Sequence, residues 1–342
     1  VRARHAINLK EESVMKHSRL AALALIAAPL FALPGALQAQ ATYPDKPIRM
    51  IIPFAAGGAT DLHGRMLAAR MQPLLKQTIV VEAKAGASGI IGTQEVLRSK
   101  PDGYTILLST SSTLIVAPAG VKEPPYDSLK DLSTIAIIGV QPTAIVSAND
   151  FPAKSLKELT ALLRANSGKY VYGAAGTLSV NTLMMEMYKK QAGNLNLDLV
   201  PFKGNNEVTA ELLAGRLPLA ALTSTGVLDI YRAGRVRVLA VASDSRIKSA
   251  PDIPTAAEQG FPDLVVVTFN AISVPAATPR PIQTRLNQVI VSIMASESYV
   301  KDLDKLGMEL FSGSTPEQAQ KFIANLAAKW TPAIRDLAAT QQ

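Results

Sequence analysis

An apolar run that breaks on two glycines and resumes with helical spacing constrains this chain more than anything else in it. The run Ile48-Arg49-Met50-Ile51-Ile52-Pro53 is followed by Phe54-Ala55-Ala56-Gly57-Gly58-Ala59-Thr60-Asp61, after which Leu62, Met66 and Ala69 fall on one helical face. The unit then recurs. Residues 48–53, 79–82 and 104–109 are short apolar runs rich in β-branched residues and predict buried strands, with amphipathic stretches between them and a second helix starting near Ile90. Strand, turn and helix in alternation predict βαβ units around a mostly parallel sheet. Later helix starts are marked by capping boxes at Ser128 with Asp131, Ser155 with Glu158, and Thr315 with Gln318, where Pro316 takes the first helical position.

The unit appears in two sets. Near residues 138–150 the chain runs through Gly139, Pro142 and Asn149-Asp150-Phe151-Pro152, and a fresh set begins at Ser155. That set predicts strands at 170–172, 197–201, 219–222 and 237–241, with helices near 180–191 and 206–214. Residues 265–269 and 272–274 are strand-like and return the chain to the first set. Two crossings predict an α/β chain of two lobes, each a mostly parallel sheet flanked by helices. Lobe 1 is expected at 42–142 plus 270–342 and lobe 2 at 143–269, with a ligand cleft between them, as in a Venus flytrap.

Residues before about 41 stand apart. Met15-Lys16-His17-Ser18-Arg19 is a short basic region, followed by an apolar run over 20–33 and by Ala39-Gln40-Ala41, an A-x-A site. This is the pattern of a secretory signal peptide cleaved near Ala39 to Ala41, with residues 1–14 upstream of the true start. The expected location is therefore the periplasm. Five basic residues against two acids in this leader carry +3 of the net charge of +8, leaving +5 on the remainder. Those charges are scattered, without a basic stripe interleaved by aromatics, so a nucleic-acid partner is not expected. No cysteine is present, which excludes disulfides, thiolate nucleophiles and cysteine metal sites. Of three histidines, only His63 lies beyond the leader, and it is read as a surface or packing residue rather than a general base. With no Walker lysine motif, no G-x-S-x-G elbow and no His pair, neither a cofactor nor a metal is expected, and an exported enzyme is the least supported class.

The glycine turn carries the chemistry. A strand that ends in Gly57-Gly58 before a helix presents backbone N–H groups at a helix N-terminus, where anions are favoured, with Thr60 or Asp61 expected to cap the helix. Tyr172-Gly173-Ala174-Ala175-Gly176-Thr177-Leu178-Ser179 repeats the design in the second set. Two such loops facing each other can grip one carboxylate without a buried arginine. Gly86-Ala87-Ser88-Gly89-Ile90-Ile91-Gly92 resembles a dinucleotide fingerprint, but its glycines are three apart and no acid closes the next strand, so no nucleotide is expected.

These motifs, taken in order, resemble the substrate-binding proteins of tripartite tricarboxylate transporters, the Bug (Bordetella uptake gene) family. The resemblance runs from Tyr43-Pro44-Asp45-Lys46-Pro47-Ile48 through Gly57-Gly58-Ala59-Thr60-Asp61 with Arg65, then Gly86-Ala87-Ser88-Gly89 and Pro101-Asp102-Gly103-Tyr104-Thr105. It continues through Val200-Pro201-Phe202-Lys203-Gly204, Leu239-Ala240-Val241, Pro254-Thr255-Ala256-Ala257-Glu258-Gln259-Gly260 and Pro275-Ala276-Ala277-Thr278-Pro279. It implies a monomeric receptor that closes on a small organic carboxylate, held by the two glycine loops partly through water, and hands it to membrane permease subunits. A periplasmic sensor docking on a membrane signalling kinase is the alternative.

The expected ligand-binding residues are Phe54, Ala55, Gly57, Gly58, Ala59, Thr60 and Asp61 of the first loop and Gly176, Thr177 and Ser179 of the second. Ser109, Ser111, Thr223 and Ser224 are added as polar contacts at strand ends. Asp61 is expected to orient its loop rather than touch an anion. The chain departs from the family at Ala56, where a proline is usual, at Ile90 (asparagine), near Thr182 (histidine) and near Phe269 (tryptophan). Gly215-Arg216-Leu217-Pro218-Leu219-Ala220 followed by Thr223-Ser224-Thr225 offers no acid for a ligand ammonium. The expected ligand is therefore a di- or tricarboxylate or aromatic acid without an amino group.

Overall fold

The computed structural model describes residues 43–313 and 315–340, so the leader and its cleavage site lie outside the described residues. The first set opens with β1 (Ile48–Ile52), α1 (Ala59–Leu75), β2 (Ile79–Ala83), α2 (Ile90–Leu97) and β3 (Thr105–Thr110). β1 pairs in parallel with β2 and with β3, so the first glycine turn lies at the carboxyl edge of a parallel triplet. Gly92 explains part of the fingerprint-like segment: an added Cβ would sit 2.8 Å from Pro53 Cα and 2.9 Å from Lys84 O. The glycine lets α2 press against the strand ends. The spacing serves helix packing.

The crossing expected near residues 138–150 is made by β4 (Leu132–Ala148), one strand of 17 residues. Its first part pairs antiparallel with β9 (Val267–Pro275), from Leu132 opposite Pro275 to Pro142 opposite Val267. From Thr143 onward it pairs antiparallel with β7 (Leu219–Thr223) and β8 (Val236–Val241). The two expected segments at 265–269 and 272–274 are the single strand β9, which also pairs antiparallel with β3. The second set adds α3 (Leu156–Ala165), β5 (Val171–Ala175), α4 (Val180–Gln191), β6 (Asp198–Phe202) and α5 (Asn205–Leu213). β5 pairs in parallel with β6 and β7. Each lobe thus keeps a parallel core, and the long crossing strands make both sheets mixed rather than mostly parallel.

The chain ends in α6 (Leu228–Arg232), before β8, then α7 (Arg280–Met294), α8 (Glu297–Lys305) and α9 (Pro316–Thr340). α9 packs on β4, on the turn after β3 and on α4, so it touches elements of both sets. Phe322 of α9 meets Phe269 edge-on at 5.7 Å, and Trp330 is buried. A single cluster of buried apolar residues runs from Ile51 and Leu107 through Ile145 and Val146 to Leu222, Leu239 and Ile334. At about 25 cal/mol per Å² of apolar surface removed from water, this shared core holds the crossing strands in place. Among the described residues no helix is long and apolar enough to cross a membrane.

Candidate functional site

Three helix N-termini meet at one cleft. Gly58 is the N-cap of α1, at φ −75° and ψ 169°, and no side chain caps it. The N–H groups of its first turn therefore keep no partner within the helix. The expected cap by Thr60 or Asp61 is absent because Asp61 is engaged behind the turn. Its Oδ2 accepts from Gly57 N–H at 2.9 Å and from Arg65 Nε–H at 2.8 Å, which fixes the loop while only 2% of the residue is exposed. Gly57 takes φ +77°, a left-handed conformation that glycine enters without a Cβ penalty.

α4 is capped by Ser179, whose Oγ accepts from Thr182 N–H at 3.2 Å. Its first N–H, on Val180, donates across the cleft to Ser112 Oγ at 3.1 Å. α5 starts at Gly204, again with no side-chain cap, so a second open N-terminus faces the first. Asn206 Nδ2 donates to Ala56 O at 3.3 Å, which draws the two together.

The cavity between these ends has an empty volume of about 570 Å³, which includes the open solvent at its mouth. Of the expected residues, Phe54, Ala55, Gly58, Ala59, Thr60, Ser179 and Thr223 line it. Gly57 and Asp61 stand behind it, tied to each other. Ser109, Ser111 and Ser224 do not line it, because each hydroxyl is spent in the sheet or hinge. Ser109 Oγ lies 2.7 Å from Ser273 Oγ, Ser111 Oγ 2.7 Å from Thr268 Oγ1, and Ser224 Oγ donates to Gly307 O at 2.8 Å. Gly176 and Thr177 line a neighbouring opening with residues 86–89, where Leu178 N–H donates to Ser88 Oγ at 3.3 Å. The segment read as a false fingerprint is thus a contact for the second loop.

Sequence reasoning missed the carboxamides. Asn181, Asn205 and Asn206, together with Gln141 and Asn270, line the cavity with Thr110, Ser112 and Thr268. Lys203-Gly204-Asn205-Asn206 is a third strand-glycine-helix turn, a usable signal. Gln141 and Asn270 sit in the middle of β4 and β9 and carry no local motif. Asn181 Nδ2 donates to Asn205 Oδ1 at 3.3 Å, and Asn205 Nδ2 to Thr223 Oγ1 at 3.3 Å. Behind Asn270, its Nδ2 lies 2.8 Å from His63 Nδ1, His63 Nε2 lies 2.8 Å from Tyr299 Oη, and Tyr299 Oη donates to Ile138 O at 2.9 Å. Burial, and then the nearby Arg70 charge, push the His63 pKa down to about 3, so the ring is neutral. Of the two expected roles, surface or packing, His63 takes the buried one, as a hydrogen-bonded link between Asn270 and Tyr299.

None of the described residues lining the cavity is charged. Its positive potential therefore comes from helix ends and amide donors, which suits an anion that must enter and leave. The absence of a lining carboxylate leaves an ammonium without a counter-charge. Phe269 and Thr182, two of the departures from the family, stay out of the cavity. Phe269 is buried against Phe322, and Thr182 Oγ1 donates to Gly176 O at 2.8 Å. Among the described residues no group of three His, Cys, Asp or Glu is placed to hold a metal ion.

Comparison with known proteins agrees with this geometry. The model of the Tripartite tricarboxylate transporter family receptor (TctC) matches residues 64–339. Protein BugT of Bordetella pertussis is 34% identical over 299 residues, covering 87% of this chain and 91% of BugT. The structure of the periplasmic binding protein BugD is 32% identical and superposes with a TM-score of 0.82, covering 86% of this chain and 98% of that one. The R. palustris protein Rpa4515, solved with adipate, is 26% identical at a TM-score of 0.83, covering 87% and 98%.

Proposed function

The chain belongs to the tripartite tricarboxylate transporter family of receptors, and from that premise we propose that its cleft grips a small organic carboxylate lacking an amino group. It is a periplasmic binding protein rather than an enzyme, and it delivers its carboxylate to a membrane transporter of the tripartite type. The observation that carries the ligand reading is the pair of uncapped N-termini, at Gly58 and Gly204, facing a cavity with no charged side chain. One carboxylate placed between them meets two helix dipoles and several unpaired N–H groups. The adipate held by Rpa4515, an acid with no amino group, is consistent with that choice.

The ligand-contacting set follows from the lining: Phe54, Ala55, Gly58, Ala59 and Thr60 on one side, with Ser179, Asn181, Asn205 and Thr223 on the other. The change of β4 partners between Pro142 and Thr143 supports lobes divided as 42–142 plus 270–342 and 143–269. Export through cleavage near Ala39 to Ala41 completes the reading.

Thermal unfolding of the chain from residue 42 onward, against di- and tricarboxylates, aromatic acids and amino acids, tests it. A ligand at about a hundred times its Kd stabilises by roughly 2.7 kcal/mol, a shift of roughly 5 °C for a chain of this size. Hits among the non-amino acids are expected. Tight binding of aspartate or glutamate instead would refute the missing-carboxylate argument while leaving the receptor in place.

A further inference from the structure

Gln141 and Asn270 are nearly buried, at 3% and 1% exposure, yet each keeps half of its amide free to the cavity. Their strands set them on one face: Gln141 lies opposite Thr268, and Asn270 is two residues further along β9. Diagonal neighbours of this kind are about 7–8 Å apart, within the span of a small organic acid. What each presents is fixed by partners that can act in only one sense.

Thr225 N–H donates to Gln141 Oε1 at 3.2 Å, and the Thr225 hydroxyl donates to the same oxygen. A backbone N–H cannot accept, so the oxygen must face it, and Gln141 Nε2 is left to the cleft as a donor. The Asn270 amide is oriented from the far end of the relay. The Ile138 carbonyl can only accept, so Tyr299 spends its proton there and must accept at Oη from His63 Nε2–H. A neutral imidazole protonated at Nε2 carries no proton at Nδ1, which then accepts from Asn270 Nδ2. Among the described residues Asn270 Oδ1 has no hydrogen-bond partner, and it is not sealed from the cavity.

A site built for an anion thus contains one oriented acceptor. A carboxylate oxygen placed against it would be repelled, and a methylene would leave it without a partner, at a cost that falls on the wrong ligand. An ammonium could donate, but no carboxylate lines the cavity to balance it. Resting on the receptor reading above, we infer that the ligand is a hydroxycarboxylate, whose hydroxyl donates to Asn270 Oδ1 while an oxygen of the same ligand accepts from Gln141 Nε2. His63 is the positioning residue. It touches no ligand, and it sets the sense of the Asn270 amide.

Calorimetric titration of matched pairs differing by a hydroxyl tests this: malate with succinate, citrate with tricarballylate, 3-hydroxyadipate with adipate. The hydroxylated member of the best-bound pair is expected to bind at least tenfold more tightly. In Asn270→Leu and in His63→Leu that ratio should fall to within about twofold. Equal affinities in the wild-type protein overturn the inference whether or not either variant folds, and so does a ratio that survives both substitutions. If carboxylates bind in all pairs without preference, the receptor reading stands and only this inference falls. If no carboxylate binds at all, both fall.

Discussion

His63 shows what a single residue hides in a sequence. Its partners, Asn270 and Tyr299, are 207 and 236 positions away, so no local pattern marks it as buried or paired. Asp61 was legible for the opposite reason, since both groups it holds, Gly57 N–H and Arg65 Nε–H, lie four residues to either side. The burial of His63 has a consequence for stability. Its folded pKa, about 3, is below the ordinary value of 6.5, so between these pH values the unfolded chain binds a proton that the native protein refuses. The stability this group contributes is complete above about pH 6.5 and is lost as pH falls toward 3, reaching on the order of 3 kcal/mol by pH 4. Urea unfolding of wild-type and His63→Leu between pH 7 and 4 checks it. The wild-type midpoint should fall more steeply with acid, and parallel curves for the two proteins would remove the assignment.

At the scale of elements, most helices and strands could be read because their periods and caps are local. Ser155 accepts from Glu158 N–H, and Thr315 exchanges bonds with Gln318 as the sequence predicts. The box placed on Ser128 moves one residue back: Asp127 caps Leu129 and Lys130, and Ser128 Oγ donates to Leu114 O. An acid accepts charge-assisted bonds from two amides, while the neutral serine is free to reach the neighbouring turn. The two uncapped N-termini were harder to read, because an omitted cap has no signature of its own. They lead to a prediction for Gly58. Its φ of −75° suits any residue, and an added Cβ would have Ala55 O at 3.4 Å as its nearest neighbour, an ordinary contact. Gly58→Asp should therefore cap α1 and raise the stability of the ligand-free protein by roughly a few tenths of a kcal/mol. The same carboxylate fills the anion's place, so carboxylate affinity should drop by roughly tenfold or more. A gain in melting temperature with unchanged affinity would mean that the anion does not sit at this helix end.

For the whole molecule, two lobes follow from two sets of strand-turn-helix units, and that count survives folding. The sense of the sheets was less legible, because β4 and β9 pair with partners up to 166 residues away (Leu107 with Ser273) and strand direction depends on where the chain returns. Cross-cleft contacts arise only after both sets are folded. Three of them join the loops directly: Val180 N–H to Ser112 Oγ, Leu178 N–H to Ser88 Oγ, and Asn206 Nδ2 to Ala56 O. None touches the floor formed by Gln141 and Asn270, so they bear on how often the cleft is shut rather than on which ligand it prefers. Apparent affinity scales with the population of the shut form, whereas selectivity is a ratio within that form. Ser112→Ala removes the acceptor of the Val180 N–H, an interaction of about 1 kcal/mol. It should weaken every bound carboxylate by a common factor of roughly five, with the order of preference intact. Titration of the variant against the best ligand and its nearest analogue decides it: equal loss for both assigns Ser112 to closure, and loss confined to one assigns its hydroxyl to the ligand itself.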